Sequence, residues 1–144
     1  MVIKLKGGII LHTDYALGFL LGTVLRKQEM LLESALKGLE ISLKEYALLM
    51  LISNNEKKLT QLEAGNQLRF DRTSVGQLID GLCGKGFIEK ETKPKDRRAY
   101  LLGLTEQGVE LLKQLRVIEA DCSNVCLSPL APNERSSFLS CFQT

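Results

Sequence analysis

Apolar residues recur every three or four positions along most of this chain, the spacing that gathers them on one face of a helix. A first helix runs from Thr13 or Asp14 to about Leu39, with Gly38 as its stop. Its apolar positions (Leu17, Leu20, Leu21, Val24, Leu25, Leu31, Leu32, Ala35 and Leu36) make more than one stripe. Such a helix must cover two surfaces, and one of them can belong to a partner chain. Ser42 caps a second helix, with Glu45 at N3 completing a capping box. From Tyr46 to Ile52 this helix is apolar nearly all round, which places it at the centre of the core. Thr60 and Glu63 repeat the capping-box pattern and open a third helix to about Leu68. Arg69-Phe70 turns into a fourth helix, capped by Asp71, with Val75, Leu78, Ile79 and Leu82 as its buried stripe. Phe87 to Thr92 and Ala99 to Leu104 each run as a strand. Thr105 then caps a long helix striped by Leu112, Leu115, Ile118, Cys122 and Val125. Pro129 and Pro132 end it, and Asn133 starts a last short helix with Phe138, Leu139 and Phe142 on its apolar face.

The third and fourth helices, joined by a turn of a few residues, make a helix-turn-helix pattern. The outer face of the fourth helix carries Arg72, Thr73, Gln77 and Asp80, with no core to bury in. The strands after it are joined by Lys93-Pro94-Lys95-Asp96-Arg97-Arg98, a turn crowded with cations. From Lys85 to Arg98 there are six basic and three acidic residues, a local charge of +3 against +2 for the whole chain. Basicity concentrated on one helix-hairpin unit is the footprint expected of phosphate binding. The alternative is a solvated hairpin with ordinary surface lysines.

Length and composition narrow the rest. At 144 residues the chain is one domain, or one domain with flanking helices. Apolar residues are 44% and charged residues 25%, the balance of a soluble globular protein. The single histidine, His12, excludes a metal site built on several histidines. Cys83, Cys122, Cys126 and Cys141 include no CxxC pair, and the expectation is that they stay reduced in a cytoplasm. The first eleven residues make a poor signal sequence, and no apolar stretch is long and clean enough to span a bilayer. No nucleophile-His-acid set and no phosphate-cradling glycine loop appears, so no enzyme and no cofactor is expected.

Five runs in this order carry a family resemblance: Phe70-Asp71-Arg72-Thr73-Ser74-Val75, Leu78-Ile79-Asp80-x-Leu82, Lys85-Gly86-Phe87-Ile88, Pro94-Lys95-Asp96-Arg97-Arg98 and Leu104-Thr105-Glu106-Gln107-Gly108. Together they resemble the MarR family of bacterial and archaeal transcription regulators, over roughly Leu43 to Leu112. The resemblance implies a mainly α fold with a small β-hairpin wing: a winged helix-turn-helix with N- and C-terminal dimerisation helices. The helices of 1–40 and 105–144 would form the dimer region, and 41–104 the DNA-binding domain. Family members act as homodimers on palindromic operators in double-stranded DNA, and many release it on binding small, often phenolic or otherwise hydrophobic effectors. On that pattern Arg72, Thr73, Ser74 and Gln77 face the major groove. Arg98, with Arg97, reaches the minor groove at the wing tip, Asp96 braces it, and Lys93 and Lys95 meet phosphates. The chain departs from the pattern at Gln77 and Gly81, where basic residues are frequent, and at Glu63, where an apolar residue is usual.

Physical chemistry allows these roles independently. Base edges in the major groove offer partners that Arg, Gln, Thr and Ser can read. A helix N-terminus points amides at phosphate, and an arginine at a hairpin tip suits a narrow minor groove. Plain solvent exposure is the alternative for each residue. Two other readings stand beside this one: a winged helix used for protein contact, and oxidant sensing through Cys122 and Cys126, four apart on one helix. His12 and Tyr15 could line a ligand cleft, or serve as cap and core. Gly76, Gly81 and Gly84 weaken the fourth helix by up to about 1 kcal/mol each relative to Ala.

Overall fold

Capping side chains start most of the helices where the sequence places them. The structure is a computed structural model that describes residues 2–4, 10–93 and 96–141, with side chains from 17 to 92 and from 99 to 141. Strand β1 (Val2–Lys4) pairs antiparallel with β2 (Ile10–His12), Val2 opposite His12. Helix α1 (Thr13–Leu36) follows and tightens into a 3-10 turn at Lys37–Leu39. Next come α2 (Leu43–Asn54), α3 (Gln61–Leu68) and α4 (Arg72–Gly84). The hairpin is β3 (Ile88–Lys93) with β4 (Asp96–Leu104), Ile88 opposite Leu104. Helices α5 (Glu106–Leu127) and α6 (Pro132–Ser140) end the described chain. The fold is mainly α with a hairpin wing, as the sequence pattern requires.

Ser42 and Thr60 each accept from the amide three residues on, and Glu45 and Glu63 reach back to the cap amides, so both capping boxes close. One core joins the elements. Leu48 and Leu49 of α2, Val75, Ile79 and Leu82 of α4, Leu102 of β4 and Leu115 of α5 are its most deeply buried side chains. Leu32 and Leu36 at the end of α1 complete it. The wing is tied to the body at its base. Leu102 N–H donates to Leu59 O at 2.8 Å, and Thr60 bridges Leu101, so the α2–α3 loop acts as a third strand beside β4.

Four details differ from the sequence pattern. A short hairpin, β1–β2, precedes the first helix within 1–40, where the pattern announces no element. The first helix does not stop at Gly38: the chain turns at Glu40, in the left-handed region at φ 53°. Glu40 N–H bonds Lys37 O at 3.2 Å, and the Lys85 ammonium donates to Glu40 O at 2.7 Å, which holds this turn without a glycine. Strand β4 begins at Asp96 rather than Ala99, with Lys93 opposite Asp96 and a register shift after Thr92, so the ladder climbs into the cationic segment. The α5 stripe buries Leu111, Leu112, Leu115 and Cys122 but leaves Val125 exposed, and α6 exposes Phe138 and Leu139. Phe142 lies outside the described residues.

Candidate nucleic-acid interface

The site is built from the start of α4 outward. Asp71 caps this helix: Oδ1 accepts from the Thr73 amide at 3.0 Å and the Ser74 amide at 2.9 Å, and Oδ2 accepts from the Ser74 hydroxyl at 2.5 Å. The hydroxyl of Ser74 is the largest of the bonds that hold the Asp71 carboxyl below its ordinary value. Two amides that could have faced a phosphate are therefore spent on the cap. Ser74 is half-buried and its proton goes to Asp71, so only its oxygen lone pairs remain for an outside donor. Arg72, Thr73 and Gln77 are exposed on the outer face.

The turn before α4 is tight. Arg69 takes the left-handed conformation at φ 55°, and Phe70 N–H returns to Gly65 O at 3.0 Å. A Cβ on Gly65 would sit 3.4 Å from both Phe70 O and Val75 Cγ2, so the glycine lets α3 and α4 close on one another. Gln61 Nε2 donates to Arg72 O at 3.3 Å across the same junction. Gly76 has a packing reason of this kind: its Cβ would lie 3.1 Å from Gln61 Nε2. Gly84 has none, since nothing lies within 4 Å of its Cβ position.

Two ion pairs fix α4 at its far end. Lys85 donates to Glu45 Oε1 at 2.8 Å, and the same carboxylate accepts from the Ser42 amide and hydroxyl, each at 2.9 Å. Burial pushes the Glu45 carboxyl up; the bonds from Lys85 and Ser42 more than reverse this and hold it below its ordinary value. Lys90 of β3 donates to Asp80 of α4 at 2.5 Å, which raises the Lys90 ammonium and ties the wing to the helix. These partners are far apart in sequence, and no local pattern announces them. Lys85 and Lys90 thus bind carboxylates within the fold.

The side chains of Lys93, Lys95, Asp96, Arg97 and Arg98 lie outside the described residues. The strand next to them is described. Ala99 and Tyr100 line a groove of about 460 Å³ with Arg72, Phe70 and the α3 residues Gln61 and Asn66. The chain immediately after Arg98 and the first residue of α4 therefore share one surface. The wing base is set by Thr105, whose hydroxyl donates to Gly86 O at 2.6 Å and accepts from the Gly108 amide at 3.0 Å. A Cβ at Gly108 would collide with the Phe87 carbonyl, which is the physical content of the Leu-Thr-x-x-Gly run.

Burial pushes the Cys83 and Cys122 thiols up, which reduces the reactive thiolate an oxidant sensor needs. The side chains of His12 and Tyr15 lie outside the description. Among the described residues no group of three or more His, Cys, Asp or Glu could hold a metal, and no helix is long and apolar enough to cross a membrane.

Residues 38–99 match the model of the MarR family. The chain is 32% identical over 96 residues to the HTH-type transcriptional regulator YkoM of Bacillus subtilis, covering 66% of this chain and 61% of that protein. The chain spans between 42% and 61% of the length of the first curated relatives it matches. Its fold superposes on a crystal structure of MarR with a TM-score of 0.82 at 25% identity, covering 92% of this chain and 90% of that one. It also superposes on a cysteine-to-serine mutant of MarR from Escherichia coli complexed with operator DNA, with a TM-score of 0.74 at 24% identity, covering 90% of this chain and 93% of that one. Over residues 38–99 the chain matches the MarR family, and its fold is the winged helix-turn-helix of the MarR structures.

Proposed function

We propose that the protein is a transcription regulator, a ligand-responsive repressor that binds a palindromic operator in the cytoplasm as a homodimer. The observation that carries this reading is the outer face of α4, where Arg72, Thr73 and Gln77 stand exposed above the buried Val75, Ile79 and Leu82. A rigid, capped helix with unspent donors is a shape the major groove admits, and these side chains reach base edges there. Arg98, with Arg97, enters the minor groove; Asp96 braces it, and Lys93 and Lys95 rest on phosphates. This wing assignment is supported by the sequence and the family pattern. Residues 41–104 form the DNA-binding domain. Residues 1–40 and 105–144 form the dimer region, supported by the apolar faces that α1 and the end of α5 leave uncovered. A small phenolic or other hydrophobic effector would release the DNA.

The test is a mobility-shift titration on a selected duplex. Arg72→Ala and Arg98→Ala each weaken binding by about 1–3 kcal/mol, roughly 5- to 150-fold, without lowering the melting temperature. Unchanged affinity in both variants overturns the reading.

A further inference from the structure

We infer that Lys44 and Arg69 form a second phosphate-binding patch on duplex DNA, flanking Phe70 beside the start of α4; this rests on the DNA-binding reading above and extends it to residues outside the recognition helix and wing. What carries this is position joined to charge, since other exposed cations, Lys27, Lys37 and Lys57 among them, also stand outside the described ion pairs. Lys58, Lys85, Lys90 and Lys113 each pair with a carboxylate: Glu91, Glu45, Asp80 and Glu110. Lys44 and Arg69, like Arg72, are exposed, and none of the described ion pairs includes them. The nearest acids in sequence are already committed. Glu45, next to Lys44, turns inward to Lys85 and Ser42. Asp71, two residues after Arg69, is engaged three times by the α4 cap.

Position is fixed as well as charge. The Lys44 ammonium lies 5.7 Å from the centroid of the Phe70 ring, a cation–π contact that holds it at the helix-turn-helix junction. Arg69 is the left-handed residue of that junction, directly before Phe70 and three residues before Arg72. Because Asp71 occupies the Thr73 and Ser74 amides at the α4 start, side chains take a larger share of any phosphate at this end, and these two cations stand beside Arg72 there. A polyanion of regular spacing is the occupant whose charge complements them.

The experiment measures binding of the full chain to a selected duplex and to a scrambled one across a salt series. The variants are Lys44→Gln and Arg69→Asn, singly and together; Asn tolerates the left-handed turn. Lys113→Gln is the charge-matched control for each single variant. In a dimer with four such contacts, the double variant lowers the slope of log Kd against log salt by about 3 to 4 units, at about 0.9 per phosphate. Both duplexes weaken by the same factor, because phosphate contacts carry no sequence information. Thermal melting stays that of the wild type, and Lys113→Gln keeps the wild-type slope. A wild-type slope in the double variant, with Arg72→Ala still weakening the selected duplex, overturns the patch and leaves the α4 reading standing. A loss confined to the selected duplex also overturns it, since that marks base reading. A wild-type protein that binds neither duplex overturns both.

Discussion

The middle of the chain and its two ends treat apolar side chains in opposite ways. Between Ile41 and Leu115 the large apolar residues of α2 and α4 turn inward, and Leu48, Leu49, Val75, Ile79, Leu82 and Leu115 are 0% exposed. On α1, Leu17 is 65% and Leu25 55% exposed, with Phe19, Leu20, Leu21 and Val24 beside them; Val117 of α5 is 61% exposed. The middle also exposes Leu62, Tyr100 and Val109, but singly, and isolated apolar residues at a surface are ordinary. A run at helical spacing is different, because it makes a contiguous face that water covers poorly. The contrast teaches that the central lobe, completed by Leu32 and Leu36 at the end of α1, closes one core, whereas the rest of α1 and the outer face of α5 present half of another.

Several substitutions would break or sharpen this division. The largest effect is expected in the middle. Leu82→Ala removes a fully buried side chain, and urea denaturation should register a loss of about 2–5 kcal/mol. At the ends the same kind of experiment should report on association. Leu25→Asp places a charge on the exposed α1 face, and sedimentation should show dimer dissociation raised by about 2 kcal/mol or more, roughly thirtyfold. If that variant remains as dimeric as the wild type, the α1 face is not the interface.

A smaller effect belongs to a bond inside the middle, between Glu45 and Lys85. Glu45→Gln disrupts the link from α2 to the end of α4 and should cost about 1–3 kcal/mol at pH 7. The Glu45 carboxyl is held below its ordinary 4.5, so its ionised form stabilises the fold above that pH. That contribution is lost as pH falls through the lower folded-state value. The gap between wild type and variant should therefore narrow on acidification below about pH 4.5, and chemical denaturation at several pH values reads it directly. A gap that widens would remove Lys85 as the cause.

What the sequence made legible was mostly local. Asp71, Ser42 and Thr60 cap helices that start at the next residue, and the α4 stripe is buried in the order its spacing dictates. The exposed Arg72, Thr73 and Gln77 follow from the same periodicity. Features made by chain segments meeting across the fold were not legible. Glu45 reads as a cap, yet its second partner, Lys85, stands 40 residues away. Gly76 reads as helix weakness until Gln61 is seen against it, and Gly108 becomes obligatory only where Phe87 passes overhead. Lys44 and Arg69 escape notice for the same reason, since their neighbourhood exists only once α2 meets the turn at Phe70. The β1–β2 hairpin was hidden by its brevity, three residues a strand.

The claim on which the rest depends is that α4 and the wing of two joined protomers read duplex DNA. Its most direct measurement is selection of DNA from a random pool by the full chain, followed by a salt titration on what is enriched. The account predicts an inverted repeat with half-sites about one helical turn, roughly 10 to 11 base pairs, apart. It also predicts an affinity that falls steeply with salt. A pool that emerges without any shared motif, bound weakly and with no dependence on salt, would contradict it.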